Sequence, residues 1–311
     1  MKAIKIYEYG RTEVLRYEET PSPKAGPNEV LLKVHASSIN PVDTGLVGGY
    51  LTRMYNLQLP MTPGFDVAGV ITQVGEGVTN FKVGDYIYGQ ASVMGGGSGA
   101  YAEYARTPVN CIAKMPENTS FIESACLALT GVSAYEALYK NINLQAGQHI
   151  LIHGGSGGIG TMAIQLAKYI GAYVATTVST QNIQYAKQLG ADEVIDYKSE
   201  EFDKLLTNYD AVYDTIGGDT YIRSFNVLKR GGILVSMREQ PNIEHMEKYS
   251  VKSIYQHTQV TTQNLEALTK LVENKALKIY IEKVYPIENL KEAFNAKTNG
   301  HIRGKLAIEI R

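Results

Sequence analysis

A chain of 311 residues, 44% of them hydrophobic, is longer than a single sheet-and-helix unit requires, so two domains are expected. Thirty Lys and Arg against 31 Asp and Glu leave a formal net charge of −1 with no basic tract, which excludes the usual electrostatic footprint of a nucleic-acid or anionic-membrane binder. Two cysteines, Cys111 and Cys126, are too few for a disulfide framework, and no apolar run suggests a membrane span. With no charged-then-apolar leader in Met1-Lys-Ala-Ile-Lys-Ile-Tyr7, a soluble cytoplasmic protein is expected.

In chain order, that first segment alternates like a strand. Glu29–Ala36 and Val67–Val74 do the same, and Val83–Gly89 and Tyr101–Ala105 follow, separated by glycine turns such as Gly75-Glu-Gly77 and Gly95-Gly-Gly-Ser-Gly99. This spacing predicts a small all-β unit, with the second glycine run a candidate lid. Next comes a helix over 131–139, preceded by Thr130. The strand His149–His153 then runs into Gly154-Gly-Ser-Gly-Gly-Ile-Gly160 and an amphipathic helix closed by Gly171. Glycines between a strand and a helix let the backbone turn sharply and approach a pyrophosphate, while the helix N-terminus offers unpaired N–H groups. Gly154, Gly155, Ser156, Gly157, Gly158, Ile159 and Gly160 are therefore the candidate dinucleotide-binding turn.

Beyond it, strands at Ala172–Val178, Glu193–Asp196, Asp210–Asp214 and Gly232–Ser236 alternate with helices, near Gln181–Leu189 and Glu200–Thr207 among others. That is the signature of a doubly wound parallel sheet of α/β class. Ligands collect at the C-terminal strand ends of such sheets, where Ser179, Gly217 and Ser236 fall. The second strand ends in Val178-Ser-Thr-Gln-Asn182, with no acid to hold a ribose 2′-hydroxyl and repel a 2′-phosphate, which favours NADPH as cofactor. Ser179 and Tyr197 are the candidate phosphate contacts. After a helix near Asn264–Glu273, the closing Gly304–Ile310 alternates again and is expected to rejoin the β unit.

Seven blocks now carry a resemblance: Ser38-Ile-Asn-Pro-Val-Asp43, Pro63-Gly-Phe-Asp-Val-Ala-Gly69, Val83-Gly-Asp85, Thr130–Leu138, His149–Gly171, Leu189–Tyr197 and Gly300-His-Ile-Arg-Gly-Lys305. Across nearly the whole chain it resembles the medium-chain dehydrogenases/reductases, in their zinc-independent, zeta-crystallin-like quinone oxidoreductase branch. The resemblance implies a GroES-like β-barrel catalytic domain over 1–117 and 262–311 and a Rossmann NADPH-binding domain over 118–261. It also implies a homodimer, an active site between the domains, and hydride transfer without a metal to a small quinone or enone. It places Thr130 near the nicotinamide and puts Arg303 and Lys305 among the cofactor contacts. Where zinc-dependent relatives carry ligands, this chain has Asn40 or its neighbour, Phe65-Asp66 and a position near Leu129. No metal is expected.

Asn40 is the candidate to hydrogen-bond a substrate carbonyl or order the ribose, the alternative being a turn residue before Pro41. Tyr50 matches the position of a tyrosine proton donor in enoyl-thioester reductases of the superfamily; the alternative is a surface-loop tyrosine in a chain with 22 of them. Asp43 and Asp66 are expected as caps or structural acceptors, and His149 and His153 as packed, hydrogen-bonded side chains. Two further readings stay open: an enoyl-thioester reductase, and an NADPH-binding protein with little turnover.

Overall fold

In the computed structural model, residues 1–300 and 302–311 are described, Asn299 by its backbone alone. The chain opens with β1 (Lys2–Lys5), β2 (Arg16–Glu19) and the long β3 (Glu29–Ser38). Helix α1 (Pro41–Val47) starts on a proline, at the helical position where a missing N–H costs nothing. Strands β4 (Asp66–Val74), β5 (Tyr86–Gln90), β6 (Tyr104–Pro108) and β7 (Ile112–Lys114) lead to helix α2 (Phe121–Tyr135), which runs on as a π-helical segment over Glu136–Asn141. Then β8 (His149–His153), α3 (Gly158–Ile170), β9 (Tyr173–Val178), α4 (Ile183–Gln188) and β10 (Glu193–Asp196) alternate. The alternation continues through α5 (Phe202–Leu205), β11 (Tyr209–Asp214), α6 (Asp219–Ser224), β12 (Leu228–Ser236), α7 (Ile243–Tyr249) and β13 (Lys252–Tyr255). Last come α8 (Thr262–Glu273), β14 (Ile281–Pro286), α9 (Leu290–Asn299) and β15 (Lys305–Glu309).

The chain divides into two compact units. The first holds Met1–Leu129, Val260–Glu273 and Ile281–Arg311; the second holds Thr130–Gln259 and Asn274–Tyr280. In the first, a mixed sheet runs β14-β15-β3-β4-β5-β7, with β6 also paired to β3. The C-terminal β15 lies antiparallel to β3, Ala307 opposite Ser38, as the alternation of Gly304–Ile310 leads one to expect. Val30, Leu32, Val67, Ile71, Ile87, Leu306 and Ile308 fill the interior, because alternate side chains of each strand share a face. In the second unit six parallel strands run β10-β9-β8-β11-β12-β13. The chain winds outward from β8 in both directions, so the switch point of the sheet lies beside the end of β8.

The short α1 and the edge strand β13 are not expected from the sequence, and three further features differ from that reading. Helix α2 begins at Phe121, not at 131, because Ser120 and Glu123 form a reciprocal capping box: the Ser120 N–H donates to Glu123 (2.9 Å) and the Glu123 N–H to the Ser120 hydroxyl (3.2 Å). Phe121–Asn141 is 21 residues, long and apolar enough to cross a membrane by length and composition, yet Ala125, Cys126, Leu127, Val132 and Leu138 along it are buried in the fold. The glycines 95–99 do not form a free lid. Gly99 donates to the Ala91 carbonyl (2.7 Å), and added methyls at Gly97 and Gly99 would strike the Ala91 and Thr62 carbonyls. Close backbone approach explains Gly97 and Gly99, while a methyl at Gly95 would meet only the Gln90 side chain.

Candidate active site

In the second unit the glycine turn joins the C-terminal end of β8 to the N-terminus of α3. Gly154 takes a left-handed conformation, φ +72°, that favours glycine. A methyl at Gly155 would strike the Thr176 hydroxyl and one at Gly160 the Gly154 carbonyl, so both are demanded by close packing of strand, turn and helix. Gly157 differs. Its backbone is extended (φ −78°, ψ 174°), and an added methyl would meet only the Gly154 carbonyl, at an ordinary 3.4 Å. Gly157 also caps α3, whose first amides lack intrahelical partners as in any α-helix. An open face beside unpaired N–H groups is the shape that a phosphate requires.

The other predicted cofactor residues of this unit fall at the same strand ends. Ser179 follows β9, buried, and its hydroxyl accepts from the Asn182 amide (3.1 Å), which also donates to Ser156 (3.2 Å). Tyr197 follows β10 and is 51% exposed. Gly217 (φ +82°) and Ser236 serve Asp214, whose carboxylate accepts from the Gly217 N–H (3.0 Å) and the Ser236 hydroxyl (2.8 Å). Their positions thus define the ends of β11 and β12. Thr130 lies within α2 instead of before it, its hydroxyl donating to the Met162 sulfur (3.5 Å). Sequence reasoning missed Asn182 and Asp214; the signals were an amide three residues after Ser179 and an acid closing a strand before Gly217-Gly218. His153 is buried between the Thr177 and Ser224 hydroxyls, 3.0 Å from each, and burial holds its pKa down to about 4. His149 stacks on Tyr173.

In the first unit the family blocks converge on one buried polar cluster. Asn40, 1% exposed, donates from its side-chain amide to Asp66 (2.7 Å) and accepts from the Lys305 ammonium. Lys305, 3% exposed, also donates to the Ile39 carbonyl (3.2 Å) and pairs with Asp66 at 3.5 Å. Asp66 further accepts from the Ser38 hydroxyl and the Leu129 N–H (3.0 Å). Asp43 accepts the Asn40 N–H (2.8 Å) and so caps α1. Burial, then the Asp66 charge, pushes the Asp43 carboxyl up to about 7, against the pull of the Asn40 N–H and Lys305. Asp43 and Asp66 are thus a cap and a structural acceptor. Lys305 lies inside this cluster, while Arg303 is exposed, its N–H on Glu282 (3.2 Å). His301 of the same block lies outside the described residues. Tyr50, beyond α1, is 81% exposed, its N–H on the Gly45 carbonyl (3.0 Å).

Residues 26–117 match the alcohol dehydrogenase GroES-like domain and residues 189–308 a zinc-binding dehydrogenase domain. A chloroplast envelope quinone oxidoreductase homolog of Arabidopsis thaliana is 33% identical over 99% of this chain and 98% of its own. The chain belongs to the medium-chain dehydrogenases/reductases. Within that superfamily it lies in the zinc-independent quinone oxidoreductase branch, and it is an oxidoreductase. An NADPH-dependent alkenal/one oxidoreductase of A. thaliana is 32% identical over 99% of this chain and 79% of that protein. The quinone oxidoreductase structure from Coxiella burnetii superposes with a TM-score of 0.91 at 34% identity, covering 100% and 99% of the two chains.

Zinc, which one domain description names, does not suit the residues present. At the positions where zinc-dependent relatives carry ligands this chain offers an amide (Asn40), a phenyl ring beside a carboxylate already accepting several donors (Phe65-Asp66), and a stretch near Leu129, whose N–H donates to Asp66. An ammonium already supplies the positive charge. Zinc prefers thiolate and imidazole, and among the described residues no three His, Cys, Asp or Glu are grouped to hold a metal ion.

Proposed function

We propose that this oxidoreductase is an NADPH-dependent reductase of quinones or α,β-unsaturated carbonyls that works without a metal. The open face of Gly157, at the end of the first strand of a doubly wound sheet, carries the reading. The names of its relatives, quinone oxidoreductase and NADPH-dependent alkenal/one oxidoreductase, support the substrate classes and the cofactor. When bound, NADPH supplies a hydride to an electron-poor carbon. The chain binds the pyrophosphate through the turn and the first amides of α3. Ser179, Ser156 and Asn182 would offer hydroxyls and an amide to the adenosine phosphate, and no carboxylate within 178–182 would repel it. Asn40, buried and committed to Asp66 and Lys305, supports α1 from behind. That leaves the exposed Tyr50 phenol as the group free to reach a substrate and give up a proton where the product enolate is basic.

The test is a fluorescence titration with NADPH and NADH, followed by initial rates of NADPH oxidation against a panel of quinones, enones and an enoyl thioester. NADPH binding tighter than NADH, with turnover on quinones or enones, is expected. Binding without turnover on any acceptor would sink the reductase reading and leave a nucleotide-binding protein.

A further inference from the structure

Burying a lysine is costly unless its charge is met, and even a well-paired buried ion pair is seldom a better source of stability than apolar side chains of equal volume. Lys305 nevertheless opens β15 among apolar neighbours, Leu306, Ala307 and Ile308, all buried. Its ammonium and the Asp66 carboxylate grip the two ends of one amide: the Asn40 oxygen faces Lys305 and the Asn40 nitrogen faces Asp66. Asn40 in turn is the residue from which α1 springs, its N–H on Asp43. Through Gly48 and Gly49, α1 leads to Tyr50, whose N–H is bonded back to Gly45 within that helix. A fixed Asn40 therefore fixes the start of α1, and α1 fixes where Tyr50 is carried.

We infer that the Lys305–Asp66 pair is a positioning device for turnover, holding Asn40 and α1 so that the Tyr50 phenol meets the reacting carbonyl. This rests on the reading of Tyr50 as the proton-donating group. Lys305 is then a positioning residue that no substrate touches. The other titratable groups around the cluster are Asp43 on α1, Tyr101, Cys126 on α2 and Lys297 on α9. Burial and the two aspartates raise the Tyr101 phenol, and burial pushes the Cys126 thiol up to about 12, so both stay neutral at pH 7. Burial and Lys305 lower Lys297.

The experiment compares Lys305→Met, which keeps the length of the stem and removes the charge, with Lys305→Met/Asp66→Asn, which removes both charges. In the single variant kcat on an enone or enoyl thioester, whose product enolate needs the proton, should fall about 10²-fold with KM little changed, as expected when a reacting group is misplaced by about 1 Å. NADPH affinity should hold, and amide hydrogen exchange over 41–50 should speed up at least about tenfold. The double variant leaves no unpaired buried charge, so it should regain thermal stability while kcat stays low and exchange stays fast. Recovery of kcat and slow exchange in the double variant would overturn the inference, because the pair would then only balance charge. If Lys305→Met does not fold, the double variant alone decides on the same two readouts. If the wild type turns over no quinone or enone, the reductase reading falls. The exchange measurement then stands by itself, and unchanged exchange over 41–50 in both variants overturns the positioning role.

Discussion

Of the glycines in the turn after β8, Gly155 and Gly160 answer to the protein's own backbone and side chains, and Gly157 to whatever lies outside it. Gly157→Val should therefore cost only about 1 kcal/mol of stability, the loss of a glycine at the helix cap. It should weaken NADPH binding at least about tenfold, or 1.4 kcal/mol, by placing a branched side chain where the phosphate would lie. Gly160→Ala should instead act mainly on the fold, losing about 1–3 kcal/mol of stability to overpacking against the Gly154 carbonyl. Unchanged NADPH affinity in Gly157→Val would remove the turn from the site. Asp43 makes a prediction of the opposite kind, about pH. Its folded pKa of about 7 lies above the ordinary 3.8, so the folded state holds the proton more tightly than the unfolded chain does. Stability is then lost as pH rises from about 4 through about 7, where the carboxylate must form in a buried place. Asp43→Asn keeps an oxygen for the Asn40 N–H and removes that cost. Its melting temperature should exceed that of wild type at pH 8, with the gap closing by pH 5. A gap that does not depend on pH would show that burial of this charge is not what the site costs.

Helices and strands differ in how far the sequence announces them. The strands of the second unit alternate with helices at spacings that leave little choice, and the C-terminal ends of β8 to β12 are legible in the sequence, while the short edge strand β13 is not. Helix α2 was half legible. Its apolar residues after Thr130 suggested a start at 131, whereas Ser120-Phe-Ile-Glu123 is a capping box that places the start at Phe121. Ser120→Ala should cost about 1 kcal/mol, read from the chemical denaturation midpoint, and no loss would mean that packing alone sets that end. The short α1 is not legible although Asn40-Pro41 is a good helix start, because a helix spanning only Pro41–Val47 shows too little periodicity to stand out. The run 95–99 reads as a lid, whereas Gly97 and Gly99 mark close backbone contacts, since composition cannot tell an absent side chain that frees a loop from one that lets it pack. Least legible was the cluster of Asn40, Asp66 and Lys305. Its members are separated by 26 and 239 residues, and the pairing of both β4 and β15 with β3 brings them together.

At the scale of the whole molecule, cofactor binding is a stability measurement as much as an activity one. Any ligand that binds the folded chain alone stabilises it by an amount set by its concentration relative to Kd, about 2.7 kcal/mol at 100 times Kd. The end of β9 has hydroxyls and an amide where a carboxylate would discriminate against a 2′-phosphate. NADPH should therefore raise the melting temperature further than NADH at equal concentration, by about 2–4 °C for each 1 kcal/mol in a second unit of this size. Because the chain comprises two compact units, unfolding need not be a single transition, and calorimetry is preferable to one spectroscopic probe. The transition that NADPH moves should be that of the unit holding the glycine turn, and Gly157→Val should abolish most of the shift for both nucleotides. Asp placed at Ser179 should invert the order, since a carboxylate there accepts a ribose hydroxyl and repels a phosphate. Equal shifts from NADPH and NADH in the wild type would show that the end of β9 does not select the cofactor. A shift that survives in Gly157→Val would show that the nucleotide binds somewhere other than at the start of α3.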